Sequence, residues 1–271
     1  MLFIIVVLYN KSLAQSETLQ GLLSSAEYLN SINAGILLWD NSEISWTKNE
    51  HEVIRAKIKA EYYHSFENKP LSFIYNNIIN KITGNNSYEH LIILDDDSKI
   101  KVDYFKEIVE TLTSQKEFCI LLPVIKNNEK IISPAKFYYL KGKYFKTIPS
   151  GVYKGKLFAI NSGMVISRSF LKQHDFKYDE RLKNYGTDNY LMNFANEKKI
   201  DFYILKFTME HSLSFFDHPD ISRRLEIFKQ IKKANRIVFS SSKLQVVLIN
   251  CYNFISSLKN AIKYRSFKFF S

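Results

Sequence analysis

Hydrophobic positions in this chain come in short unbroken runs, most of them followed by a helically spaced stripe. Residues 1–9 (MLFIIVVLY), 34–39 (AGILLW) and 91–94 (LIIL) are nearly free of polar side chains. Runs of that length suit strands covered on both faces. The first has no basic region before it and no small-residue cleavage site after it, which predicts a buried first strand rather than a signal peptide. Behind the runs, Leu19, Leu22, Leu23, Ala26 and Leu29 share one helical face. The same holds for Phe73, Ile74, Ile78 and Ile82, and for Tyr104, Phe105, Ile108, Val109 and Leu112. Residues 118–125 predict another buried strand. Strand–helix units with short connections predict an α/β fold with a mostly parallel sheet wound by right-handed crossovers, because tight hairpins cannot join parallel neighbours.

Boundaries are marked unevenly. Asn68 and Pro70 predict a helix start, with Asn68 as cap, and Gly84-Asn85-Asn86 a stop. Residues 46–63 carry no pattern that assigns them. Residues 131–156, with turn signals at Lys141-Gly142-Lys143 and Pro149-Ser150-Gly151, predict a hairpin or surface flap. Residues 157–166 are strand-like but contain Gly163, which signals either the close approach of a ligand or backbone, or a simple bulge. Tyr190, Leu191, Phe194 and Ala195 predict a helix with Asp188 near its N-terminus, and residues 200–207 a last strand leading to His211.

Composition adds little until charge is placed along the chain. At 271 residues and 46% hydrophobic, the chain supports one large α/β domain with an appendage. Cys119 and Cys251 lack metal-ligand spacing and read as packing residues of a reducing compartment. The net charge is +11, yet residues 221–271 hold eleven Lys or Arg against the single acid Glu226, which leaves the first 220 residues at +1. A general nucleic-acid-binding face on the main domain is therefore excluded.

The candidate chemistry lies where the strands end. Leu94 is followed by Asp95, Asp96, Asp97 and Ser98; the second run ends in Asp40 and Asn41, and the first in Tyr9 and Asn10. Parallel strands would bring these termini to one sheet edge, where open α/β sheets hold ligands. Three adjacent carboxylates repel one another and call for a cation, a divalent metal carrying a phosphate ligand being the economical choice; a solvated acidic turn is the bland alternative.

Taken in order, the strand ending in Tyr9-Asn10, Trp39-Asp40-Asn41-Ser42, Asn68 with Asn76, Leu94-Asp95-Asp96-Asp97-Ser98, Asn161-Ser162-Gly163, Tyr185-Gly186-Thr187-Asp188 and His211 resemble the family 2 glycosyltransferases. The resemblance covers about residues 3–214. It implies a GT-A (Rossmann-like) nucleotide-diphospho-sugar transferase fold over residues 1–216, with a nucleotide-sugar-binding half to about residue 98 and an acceptor-binding half after it. It also implies an inverting hexosyltransferase. Asp188 matches the catalytic base. Tyr9, Asn10, Asp40, Asn76, Asp95, Asp96 and Gly163 fall in the donor site, with Asp40 towards a uracil or thymine base of a UDP- or dTDP-linked sugar. Asp97 and His211 match the ligands of Mn²⁺ or Mg²⁺. The chain departs from the family pattern at Thr187, where an acid is usual, and at Leu8, where Thr is common. A haloacid-dehalogenase-type phosphatase would place Thr or Val at Lys99, and a pyrophosphorylase would need a Gly-rich basic loop near the N-terminus. An inactive glycan- or membrane-binding relative is the competing reading of a different class.

Residues 217–271 form a basic amphipathic extension. Lys259, Lys263, Arg265 and Lys268 alternate with Tyr264, Phe267, Phe269 and Phe270, which suits an anionic membrane surface, and packing against the catalytic domain is the alternative. Together with the resemblance, this predicts a peripheral enzyme on the inner face of a bacterial cytoplasmic membrane. Its acceptor would be a lipid-linked glycan of O-antigen or capsule synthesis.

Overall fold

A computed structural model describes residues 1–114, 118–138, 140–210 and 220–270. Its first half repeats the strand–helix unit: β1 (Leu2–Leu8), α1 (Glu17–Ser24), α2 (Ala26–Ser31), β2 (Gly35–Asp40), α3 (Lys48–Lys57), β3 (Ala60–His64), α4 (Leu71–Gly84), β4 (His90–Asp95) and α5 (Val102–Ser114). β1 lies between β2 and β4, parallel to both, with Leu8 opposite Asp40 and Val7 opposite Asp95. Its alternate side chains serve two cores. Phe3 and Ile5 pack with α4, whereas Leu2, Ile4, Val6 and Leu8 pack with α1, α2 and α5. That two-sided demand is why the run has no polar position.

The second half is β5 (Ile120–Asn127), β6 (Lys130–Ser133), β7 (Ala135–Tyr138), β8 (Lys141–Tyr144), β9 (Gly151–Tyr153), β10 (Leu157–Phe158), β11 (Met164–Ser167), α6 (Arg168–Gln173), α7 (Thr187–Glu197) and β12 (Phe202–Glu210). The main sheet runs β3-β2-β1-β4-β11-β5-β12-β9, with β6 paired to β5, and β10-β7-β8 make a small second sheet. The mostly parallel α/β reading holds, with antiparallel exceptions in the second half: β11 against both β4 and β5, β6 against β5, and β9 against β12. The strand expected over residues 157–166 is thus two strands of different sheets separated by a turn. The expected flap at 131–156 is strands β6 to β9.

Three local expectations also change. Residues 48–57 are helical through a capping box in which Thr47 and Glu50 bond each other's backbone, although only Ile54 of that helix is buried. The single helix expected over residues 19–29 is broken at Ser25 into α1 and α2. Pro70, not Asn68, occupies the cap position of α4. Asn68 instead accepts from Asn41 Nδ2 at 2.8 Å.

α8 (Ile221–Val238), α9 (Lys243–Tyr264) and a 3₁₀ turn (Phe267–Phe270) complete the chain. α8 seats on the domain through Ala234, Ile237 and Val238, which cluster with Leu182, Phe239 and Ile249. Among the described residues no helix is long and apolar enough to cross a membrane.

Candidate active site

The parallel register of β1, β2 and β4 brings Tyr9, Asp40 and the three acids to one edge. The acid turn is held rigidly. Thr18 Oγ1 donates to Asp95 O and accepts from Ser98 N at 2.8 Å, and Ser16 Oγ donates to Asp96 O at 2.6 Å. From the other side Ser162, in the turn before β11, hydrogen-bonds Ser98 Oγ and accepts from Asp95 N at 3.3 Å. Asn161-Ser162-Gly163 therefore backs the acid turn. Gly163 is needed there for its φ of +77° and because a Cβ would lie 2.8 Å from both Met209 and Pro123. The expected close approach was by a ligand or another backbone; what packs against this glycine is side chains. A donor contact on that face would have to displace those side chains.

The three acids have different surroundings. Asp96 accepts from Lys11 Nζ at 2.6 Å and from Tyr9 N at 3.1 Å, so it ties the β1–α1 loop to the turn. Its carboxyl is raised by burial against the lowering effect of Lys11. Asp95 is pushed up to about 7, first by burial, then by Asp97, Asp96 and Asp188, with Lys11 opposing. Asp188 therefore belongs to the same electrostatic cluster although it comes from α7. Its own carboxyl is raised by burial, against the backbone N–H of Asn189, which donates to Oδ1 at 2.7 Å.

Gly186 caps α7 with φ +86°, and Asp188 sits in the first turn behind it. Thr187 is buried, and its hydroxyl accepts from Asn161 Nδ2 at 3.0 Å. A carboxylate at position 187 would be enclosed beside Asp188, which gives a physical reason for the neutral residue. Beneath the cluster lie the buried rings of Tyr75 and Tyr178, 5.5 Å apart, both with hydroxyls raised by burial and by the neighbouring Asp188 charge.

The residues expected to face a nucleotide differ in exposure. Tyr9 is 47% exposed and Asn10 is exposed at φ +51°, its N–H donating to Ser42 Oγ. Asp40, by contrast, is 1% exposed; Oδ1 accepts from Ser42 N at 3.0 Å and Oδ2 from Tyr62 Oη. Those bonds fix the turn at residues 41–42. Asn76 is likewise engaged at both ends of its amide with the backbone of Tyr178, at 3.0 and 2.8 Å. It thereby clamps residue 178. His211 lies outside the described residues.

The donor set suits a hard divalent cation. Asp96, Asp97 and Asp188 all act on Asp95, and among the described residues Lys11 is the cation that opposes them. Among the described residues no three His, Cys, Asp or Glu side chains converge as a complete metal cage. Mg²⁺ characteristically binds one or two carboxylates together with substrate phosphates, so a partial protein set is what a nucleotide-dependent site provides. Lys11 and Tyr62 were not singled out from sequence. Lys11 could have been, because a cation three residues past the end of β1 lies beside whatever the neighbouring strands deliver.

A cavity of about 590 Å³ opens beside Asp188, bounded by β6–β8, the start of α7 and the helices α8 and α9. A larger one, about 870 Å³, lies at the opposite edge of the sheet, around Met1, Gly35 and Arg55, away from the acids. The smaller cavity is the one joined to the candidate chemistry.

This architecture, with its acid turn at the carboxyl end of the fourth strand, is the GT-A glycosyltransferase fold. Among solved structures, the chain is similar to S. aureus TarS 1-349 in complex with UDP-GlcNAc, with TM-score 0.57 and 13% identity over 92% of this chain and 69% of that one. It is also similar to GalNAc-T7 with UDP, GalNAc and Mn²⁺, with TM-score 0.55 and 15% identity over 78% of this chain and 43% of that one. It spans 41% of a longer S. aureus TarS chain. No family model and no curated protein sequence matches the chain.

Proposed function

We propose that this protein is an inverting glycosyltransferase that moves a sugar from a UDP- or dTDP-linked donor to a hydroxyl of a glycan acceptor. The observation that carries this reading is that Asp188, from α7, and Lys11, from the β1–α1 loop and bonded to Asp96, both act electrostatically on Asp95 in the acid turn. Support also comes from the fold, shared with proteins solved with UDP and UDP-GlcNAc.

Asp188 takes the proton of the acceptor hydroxyl as that oxygen bonds to the anomeric carbon. The bond from that carbon to the nucleoside diphosphate breaks, and its electron pair leaves on the diphosphate oxygen. Burial raises the Asp188 carboxyl, which makes its ionised form a stronger base than an exposed aspartate. Lys11, oriented by Asp96, places a positive charge beside the leaving group. Asp97, with Asp95 beside it, would hold Mn²⁺ or Mg²⁺, which when bound neutralises the departing diphosphate. Tyr9 and Asn10 are the exposed groups at the nucleotide end.

The extension supports a membrane-presented acceptor. Along α9, Leu244, Val247, Phe254, Ile255, Leu258 and Ile262 are exposed apolar residues, and basic residues flank them. Cys251 is exposed on the same helix, not packed as expected. An apolar stripe bordered by Lys and Arg suits an anionic bilayer surface. On this reading the enzyme works at the inner face of a bacterial cytoplasmic membrane on a lipid-linked glycan, in synthesis of a surface polysaccharide such as O-antigen or capsule.

The test is a screen of nucleotide sugars with the full chain and Mn²⁺ or Mg²⁺, scored by nucleoside diphosphate release, with the product's anomeric configuration read by NMR. Release from one donor with inverted product is expected. Retention of configuration would overturn the mechanism, and silence with every donor would favour a non-catalytic binding protein.

A further inference from the structure

The cavity beside Asp188 is built from two parts of the chain that the sequence treats as separate. β8 supplies Tyr144 and the first turn of α7 supplies Asp188 and Asn189; Asn235 and Phe239 come from α8 and its end, and Tyr252 from α9. The last three belong to the basic extension. This wall is no loose appendage. A Cβ at Gly186, two residues before Asp188, would come within 2.8 Å of the Ala234 Cβ, so α8 is packed directly onto the turn that carries the base. Asn193 of α7 also donates to Val238 O at 3.4 Å, and Ser241 donates to Glu197 at 3.1 Å.

The lining pairs aromatic rings with amides. Flat rings cover the apolar faces of pyranose rings, and amides exchange hydrogen bonds with hydroxyls, a combination suited to a saccharide. At about 590 Å³ the cavity falls within the range of roughly 300–1,000 Å³ usual for ligand pockets. Resting on the glycosyltransferase reading, we propose that the α8–α9 hairpin is part of the catalytic apparatus: Asn235 and Tyr252 bind the saccharide unit of the acceptor and set which one reaches Asp188. The same helix that presents an apolar stripe outward thus shapes the acceptor subsite inward. Membrane attachment and acceptor choice reside in one element.

The experiment compares full-length protein with Tyr252→Ala, Tyr252→Phe and Asn235→Ala. Donor hydrolysis by water is measured beside transfer to a panel of p-nitrophenyl monosaccharides, and binding of the same glycosides is followed by saturation-transfer NMR. Tyr252→Ala and Asn235→Ala are expected to weaken glycoside binding and transfer about tenfold, the scale of one aromatic or hydrogen-bonding contact, with donor hydrolysis unchanged. Tyr252→Phe, which keeps the ring, should lose less. Unchanged transfer in both alanine variants would overturn the proposal, as would an absence of glycoside binding by the parent protein. Equal loss of hydrolysis and transfer at unchanged Tm would assign the hairpin to the donor instead. No hydrolysis by the parent with any donor would refute the glycosyltransferase reading, while the NMR binding result would still judge the subsite.

Discussion

Replacing Gly186 by alanine tests how firmly the extension is joined to the turn that carries Asp188. Two costs add. A left-handed φ of +86° costs a non-glycine residue roughly 1–2 kcal/mol. The new methyl, 2.8 Å from the Ala234 Cβ, must push α8 away, and such overpacking typically costs about 1–3 kcal/mol. The sum is roughly 2–5 kcal/mol. For a chain of this length, at about 2 °C per kcal/mol, Tm should fall by about 4–10 °C in thermal unfolding followed by circular dichroism. The steric part can be isolated by a cycle with Ala234→Gly, which alone costs about 1 kcal/mol in a helix interior but removes the clash. The two changes should couple favourably by about 1–3 kcal/mol, leaving in the double variant the φ term and the roughly 1 kcal/mol of the helix glycine. A Tm within 1 °C of the parent, or strict additivity, would show that α8 does not rest on Gly186. The acceptor wall argued from that contact would fall with it.

Other outcomes follow from the site. Asp97→Ala should abolish metal-dependent donor turnover with little change in Tm; full turnover would remove it from the site. Asp96→Asn weakens the acceptor of both Lys11 and Tyr9 N, and should cost about 1–3 kcal/mol in Tm-derived stability as well as turnover, more than expected of a middle acid. The Asp188 carboxyl is raised, so the native state holds its proton at pH values where the unfolded chain has lost it, and this group's contribution to stability falls as pH rises above 3.8. Asp188→Asn should therefore raise Tm more at pH 8 than at pH 4 while abolishing transfer, and an equal shift at both pH values would contradict that sign. Finally, Val247→Asp with Ile255→Asp should release the protein from anionic vesicles in a sedimentation assay without changing donor hydrolysis. Undiminished pelleting would place the membrane contact elsewhere.

The strands and their acids were legible because β1, β2 and β4 are buried on both faces and have to be apolar throughout, so each polar terminus stands out. Helix α3 was not legible, because with Ile54 as its only buried residue it has no stripe, and its start is written only in Thr47 and Glu50. The direction of β11 was hidden too, since a buried MVIS run has the same apolar pattern in either orientation. Asp188 was found by resemblance, and its link to Asp95 exists only in three dimensions. The roles of Asp40 and Asn76 depend on partners well separated in sequence, Tyr62 and the backbone of Tyr178. No local pattern announces such bonds.

The position of β1 also bears on how the chain is made. It is made before both of the neighbours it lies between, one of which, β4, begins at His90. Until residues 90–95 emerge, one edge of a seven-residue, wholly apolar strand has no partner within its own sheet. Exposed edges of that kind pair readily with other chains. The interval between synthesis of β1 and β4 is therefore when β1 is most open to pairing with other chains, and when a chaperone covering that strand would do most to raise the yield of folded protein.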